Sequence, residues 1–282
     1  MQDAYAHCET LVREADKDRF LAGLFAPQEP RRHLFALYAF NVEVSRVREV
    51  AREVLPGEIR LQWWSDALTG TGHGSIKANP VAAALMDTIA RLCLPVEPLL
   101  ELIEARRFDI YDEPMASLAD LDAYARKTSS GLIGLAAHIL LGDGDAGMAQ
   151  ATLEAGIAYA ITGLLRAFPR HAARHRLYVP LDILDRHDLT PEEMLAGGAD
   201  PRVIGALADM RRHAREHLSA FDELRAGLLP AAGPAFLPVA LVPPALDCLE
   251  KGAADPYAPA ELPQWRRQWI LWRAARKGYP GR

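Results

Sequence analysis

The sequence predicts an all-α fold, a helical bundle in which residues 1–282 form a single domain. Three observations carry this reading. Apolar residues recur at three- and four-residue spacing along nearly the whole chain, with no sustained β-branched alternation of the kind a strand needs. Half of the residues are hydrophobic, enough to fill the core of one large domain, although length alone bounds domain number only softly. The linkers are short, with no low-complexity stretch and no repeat period.

Taken in order, residues 3–25 read as one helix with Leu11, Phe20 and Leu24 toward the core, and Pro27 and Pro30 break the chain after it. A long helix over 31–54 follows, stopped by Pro56 and Gly57. Another covers 58–68 and ends in the cluster Gly70-Thr71-Gly72-His73-Gly74. Asn79-Pro80 is a strong helix start, a capping side chain before a proline whose missing N–H matters least at the first helical position; that helix runs to about Cys93. Segments 95–111 and 118–141 come next, the latter containing Gly131 and Gly134, and 142–145 is a turn. A helix over 149–168 is cut by Pro169. Residues 178–198 are the most irregular, with a short helix starting at Thr190-Pro191. Segment 201–228 is clearly amphipathic, and a last hairpin covers 235–251 and 263–277.

Composition excludes several functions. A net charge of -5 keeps the chain soluble and gives no support for nucleic acid as a partner, which needs a strongly basic face. Cys8, Cys93 and Cys248 are odd in number and far apart, as expected of reduced thiols in a cytosolic compartment; Cys93 and Cys248 sit in apolar runs and read as small buried hydrophobes. Residues 1–19 lack the apolar stretch of a signal peptide and the acid-poor pattern of a transit peptide. No run reaches about 18 uninterrupted apolar residues, so a membrane, if involved, is met from the side.

Chemistry is expected in two places. The run Arg31-Arg32-His33-Leu34-Phe35-Ala36-Leu37-Tyr38-Ala39-Phe40 resembles the lead-in of the squalene/phytoene synthase superfamily. In that family the helix continues into Asp-Asp-x-x-Asp. A second helix there carries Gln-x-x-Asn-x-x-Arg-Asp-x-x-x-Asp, followed by Arg-x-Tyr-x-Pro. The chain offers Ala160-Ile161-Thr162-Gly163-Leu164-Leu165-Arg166-Ala167, then His171, then Arg176-Leu177-Tyr178-Val179-Pro180. Trp63-Trp64, Asp109, and Tyr124 with Gly131 and Gly134 fall in order between them. The resemblance spans roughly residues 20–180 and implies an isoprenoid-synthase-type helical bundle around a central cavity.

The family's acidic runs have a clear physical purpose. Carboxylates three or four apart share a helix face, about 5–6 Å between their Cβ atoms. Two such faces make an oxygen cage for magnesium, which neutralises the departing diphosphate. Here the first run aligns as Ser45-Arg46-Val47-Arg48-Glu49, keeping one acid and gaining two arginines. In the second, Gly163 stands for the asparagine and Ala167 and His171 for the two aspartates. With Arg170 added, the region is neutral to positive and repels divalent ions, so no metal site is expected. By resemblance, Arg32, Tyr38, Arg166 and Tyr178 align with positions that touch diphosphate or line the cavity. Together with Arg46 and Asp109 they are the candidate ligand-binding residues. Guanidinium groups can hold an anionic headgroup without metal. Equally, the arginines can pair internally with Glu43, Glu49 and Glu53.

Other signals carry less. His213-Ala214-Arg215-Glu216-His217 places two histidines on one helix face. Metal binding there needs a third ligand from a later helix, and the flanking Arg211, Arg212 and Arg215 read as a solvated face. The cluster at 70–74 is a loop, not a phosphate cradle, and no serine sits in a G-x-S-x-G elbow. In residues 265–277, Trp265, Trp269 and Trp272 form one stripe, with Arg266, Arg273 and Lys277 off it. That stripe either docks on the body or lies in a membrane interface.

Three functions follow from the resemblance. A branch of the superfamily, known from mitochondria, assists assembly of respiratory complex I and has lost the aspartate runs. Segments 41–49 and 160–171 resemble it, which implies complex I subunits or assembly intermediates as partners and no cofactor. The alternative is head-to-head prenyl transfer, with magnesium held by Glu49, Asp109 and Glu104. The third, compatible with the first, is binding of an isoprenoid or anionic lipid, Arg166 and Arg46 meeting the headgroup. The expected location is cytoplasmic, with a peripheral seat on the inner face of the cytoplasmic membrane if 265–277 engages lipid.

Overall fold

The computed structural model describes residues 1–51, 53–71, 76–111, 113–142 and 148–279, and every regular element among them is helical. Residues 143–145 of the expected turn and 72–74 of the expected loop lie outside the described residues.

The first expected helix is broken once and the second twice. Asp16 (φ −136°, ψ 74°) separates α1 (Gln2–Ala15) from α2 (Lys17–Gly23), and its carboxylate accepts the Arg19 N–H, capping the new helix. α3 (Gln28–Ser45) stops at Arg46, before the single turn α4 (Val47–Val50). Pro56 and Gly57, expected to end a helix, instead lie in the first turn of α5 (Val54–Thr69), where the proline's missing N–H has no partner to lose.

α6 (Pro80–Leu92) begins as expected: Asn79 Oδ1 accepts the N–H groups of Val81 and Ala82 at 2.8 and 3.1 Å. It ends at Cys93 in the left-handed region (φ 49°), so Cys93 is exposed rather than buried; Cys248 is half-buried and Cys8 fully so. α7 (Glu97–Arg107) leads into the turn Phe108–Ile110. The helix expected over 118–141 is α8 (Leu118–Ala125), a π-turn (Arg126–Ser130) and α9 (Gly131–Leu141). The π-turn seats Ser130 against Gly156, where a Cβ would overlap the Ser130 backbone.

α10 (Ala149–Ala172) runs past Pro169 by one turn. Then follow α11 (Leu181–Arg186), α12 (Pro191–Leu195, with the Thr190–Glu193 capping box), α13 (Pro201–Leu224), α14 (Gly233–Phe236), α15 (Val242–Lys251) and α16 (Gln264–Arg276). Segment Pro230–Lys251 is long and apolar enough by composition to cross a membrane, yet 61% of that window is buried within the bundle.

The two motif-bearing helices, α3 and α10, pack chiefly against different neighbours. α3 is embedded among α1, α6 and α9, with Leu34 to Phe40 almost wholly buried, while α10 lies along α13. Arg19 of α2 links α3 to α10, its guanidinium 5.8 Å from the Tyr38 ring and 5.0 Å from the Tyr159 ring. At the C-terminus α16 docks through Ile270, Leu271, Ala274 and Ala275 onto α2 and Leu237–Leu241. Arg267 Nε donates to the buried Asp18 at 2.8 Å. The tryptophan stripe is not the docking face: Trp265, Trp269 and Trp272 are 69%, 54% and 42% exposed, whereas Leu271 is 1%.

Candidate functional site

The two degenerate runs meet. Ser45, Arg46 and Glu49 from the α3–α4 junction face His171 from the last turn of α10 across a cleft of about 630 Å³. Its floor is a polar knot around Asp109, which is 8% exposed. Asp109 accepts from Tyr124 Oη at 2.9 Å, from Tyr178 Oη at 3.0 Å and from Arg106 Nη1 at 3.0 Å, and Arg106 also reaches Tyr124 Oη at 2.5 Å. Burial, and then the charge of Asp109, push the Tyr178 phenol up, so it remains a donor throughout the physiological range.

Glu49 is shared by Arg46 at 3.5 Å and Arg174 at 3.3 Å. His171 stands 4.7 Å, ring to ring, from Tyr178, and its buried Nδ1 has no hydrogen-bond partner among the described residues. Desolvation, and then Arg170, Arg176 and Arg174, lower its pKa to about 4, so it is neutral at pH 7.

The other candidates lie elsewhere. Arg32 pairs with Glu29 and sits over the Tyr5 ring at 5.4 Å, on the α1 side of the bundle. Tyr38 is buried against Arg19. Arg166 turns to Asp18 at 3.7 Å, so Arg46 and Arg166 do not share a site. Ala167 and Gly163 lie one and two turns up α10 from His171, and a Cβ at Gly163 would meet nothing within 4 Å. Glu104 pairs with Arg107 at 2.9 Å. Of the expected internal partners, Glu49 takes Arg46, while Glu43 takes Arg60 at 3.1 Å. Sequence reading missed Arg106, although its i,i+3 spacing to Asp109 was a usable signal, and missed Arg19 and Asp18, for which no local signal exists.

This donor set does not fit magnesium. Five arginines (Arg46, Arg48, Arg106, Arg170 and Arg176) line the cleft, against the carboxylates of Glu14, Glu49 and Asp109. Asp109 is taken up by three donors, and Glu49, shared by two arginines, is left as a single carboxylate among cations, fewer oxygens than an octahedral ion needs. What the cleft can do is hold an anion directly. Arg170 is exposed and has no ion-pair partner among the described residues, and Arg46 holds Glu49 only loosely.

A family model described as squalene/phytoene synthase matches residues 12–273. The chain belongs to the squalene/phytoene synthase family. Within it, the chain is 31% identical over 235 residues to "NADH dehydrogenase (ubiquinone) complex I, assembly factor 6" of Rattus norvegicus, covering 83% of this chain and 70% of that protein. It is 25% identical over 215 residues to the 15-cis-phytoene synthase of Synechocystis, covering 72% and 63%. The fold is that of a dehydrosqualene synthase solved in complex with ligand, with a TM-score of 0.82 at 17% identity over 99% of this chain and 98% of that one. The expected family and all-α isoprenoid-synthase fold are therefore established.

In this family member the histidines of 213–217 depart from the solvated face expected of them. Arg212 is exposed and Arg215 half-buried, but Arg211 is buried, and His213 and His217 turn inward toward Asp122 of α8, an earlier helix rather than a later one.

Proposed function

We propose that this family member is a non-catalytic assembly factor for respiratory complex I. One observation carries the reading. Where the resemblance places metal-binding aspartates, the cleft holds an arginine-paired Glu49, a neutral His171 and an excess of guanidinium. Losing one member of a charge-stabilising constellation commonly lowers rate by orders of magnitude, and here most members are replaced. The similarity to complex I assembly factor 6 supports the same direction. Partners on this reading are complex I subunits or assembly intermediates. The cleft, through Arg46 and Arg170, takes the headgroup of an isoprenoid diphosphate or anionic lipid. The exposed Trp265, Trp269 and Trp272, beside Arg266, Arg273 and Lys277, rest on the inner face of the cytoplasmic membrane.

Deleting the gene is expected to lower membrane NADH:quinone oxidoreductase activity together with the amount of assembled complex; unchanged complex I levels would refute the proposal. Incubating the purified chain with farnesyl or geranylgeranyl diphosphate and magnesium is expected to give no product. Turnover lost in Glu49→Ala would replace this reading with head-to-head prenyl transfer.

A further inference from the structure

A second constellation lies on the far side of α8 from the cleft. His213 and His217, one turn apart on α13, point their Nε2 atoms at each other, 3.2 Å apart. Asp122 of α8 completes the group: its Oδ1 is 2.8 Å from His213 Nε2 and its Oδ2 is 3.7 Å from His217 Nε2. In a tetrahedral zinc site with bonds of about 2.0–2.1 Å, neighbouring ligand atoms stand roughly 3.3 Å apart. The Nε2–Nε2 separation matches that value, and the two Asp122 oxygens lie on either side of it.

The surrounding carboxylates add a second, independent indication. His217 has an acid bonded at its other nitrogen, with Glu154 of α10 2.5 Å from Nδ1, whereas Glu216, 3.6 Å from His213 Nδ1, stands too far to bond it. An acid at Nδ1 holds the ring proton there and leaves the Nε2 lone pair aimed inward, which is how outer carboxylates prepare histidine ligands. The two Nε2 atoms and the Asp122 carboxylate converge on one point, where a cation can replace the protons they now share. The side chains are 12–28% exposed at Glu154, His213, His217 and Asp122, shielded yet reachable from solvent.

We infer that Asp122, His213 and His217 form a site for a zinc-class divalent metal, with Glu154 as a positioning residue and the fourth position left to water. Imidazole nitrogens select zinc or cobalt over magnesium. The bound ion ties α8 to α13. Because Tyr124 and Asp122 are two residues apart and project to different sides of α8, the ion also braces from behind the helix that supplies Tyr124 to the Asp109 knot.

The test uses the full chain, stripped with chelator and then titrated with zinc chloride by calorimetry and with cobalt chloride by visible absorption. One zinc per chain is expected, with intense tetrahedral-type cobalt bands and a rise in melting temperature of about 5 °C at hundredfold excess over Kd. Magnesium should not compete. His213→Gln/His217→Gln should abolish binding, while Glu154→Gln, which keeps all three ligands, should weaken zinc by about 10- to 100-fold. Binding below one equivalent, a cobalt spectrum like that of the aqueous ion, or zinc affinity unchanged in Glu154→Gln would overturn the assignment. The last of these remains decisive even if the double variant fails to fold.

Discussion

Asp109 shows how much depends on a single residue. It lies almost out of solvent, and its two phenols and one guanidinium come from three separate parts of the chain. Asp109→Asn leaves Arg106 partly buried and uncompensated, which should destabilise the chain by about 3–5 kcal/mol, whereas Tyr178→Phe should remove only about 1–2 kcal/mol. Urea unfolding of the two variants measures both. His171 gives a pH signature. Its folded pKa, about 4, lies below the ordinary 6.5, so between those values the unfolded chain binds the proton and the folded one does not. Stability should therefore fall as pH drops from about 6.5 to 4, against a setting of Arg170, Arg174, Arg176, Glu49 and Tyr178. His171→Gln, followed by thermal unfolding across that range, should flatten this part of the profile. The meeting of Ser45, Arg46 and Glu49 with His171 was legible in the sequence, because the run at 31–40 and Tyr178-Val179-Pro180 fix both registers. The knot was not, since Tyr178 lies 69 residues from Asp109 and nothing local points to their pairing.

Among the elements, the helices whose starts are marked by side-chain chemistry came through best. Asn79-Pro80 and Thr190-Pro191 cap α6 and α12 where the sequence places them. Breaks at single residues did not, because apolar periodicity continues across Asp16 and Arg46, and only at Asp16 does a polar cap betray the interruption. The π-turn at Arg126–Ser130 is also silent in the pattern; it is imposed by the close approach of α10. Gly156→Ala tests that approach. Its Cβ would meet Ser130 backbone, not the end of a flexible side chain, so a loss of about 3 kcal/mol is expected from chemical denaturation. At α16 the tryptophans marked the conspicuous stripe, but Leu271, Ala274 and Ala275 make the docking face and Arg267 reaches Asp18 across 249 residues.

At the scale of the molecule, the chain has the family fold, and its motif cleft is lined by more arginines than carboxylates. Helical periodicity and the ordered motif fragments were enough to give the fold, since both depend on local spacing. The exposed aromatic face was left open by the sequence because a stripe on a helical wheel does not say what covers it. If that face meets lipid, the chain should sediment with anionic vesicles, and Trp269→Ala/Trp272→Ala should weaken this about tenfold or more without lowering the melting temperature. The cleft itself is best tested by titrating the full chain calorimetrically with magnesium in the presence of an unreactive prenyl diphosphate analogue. No magnesium-dependent heat is expected, and analogue affinity should be the same with and without the ion. Stoichiometric magnesium binding that requires the analogue and disappears in Glu49→Ala would contradict the proposal that the cleft takes an anion without metal.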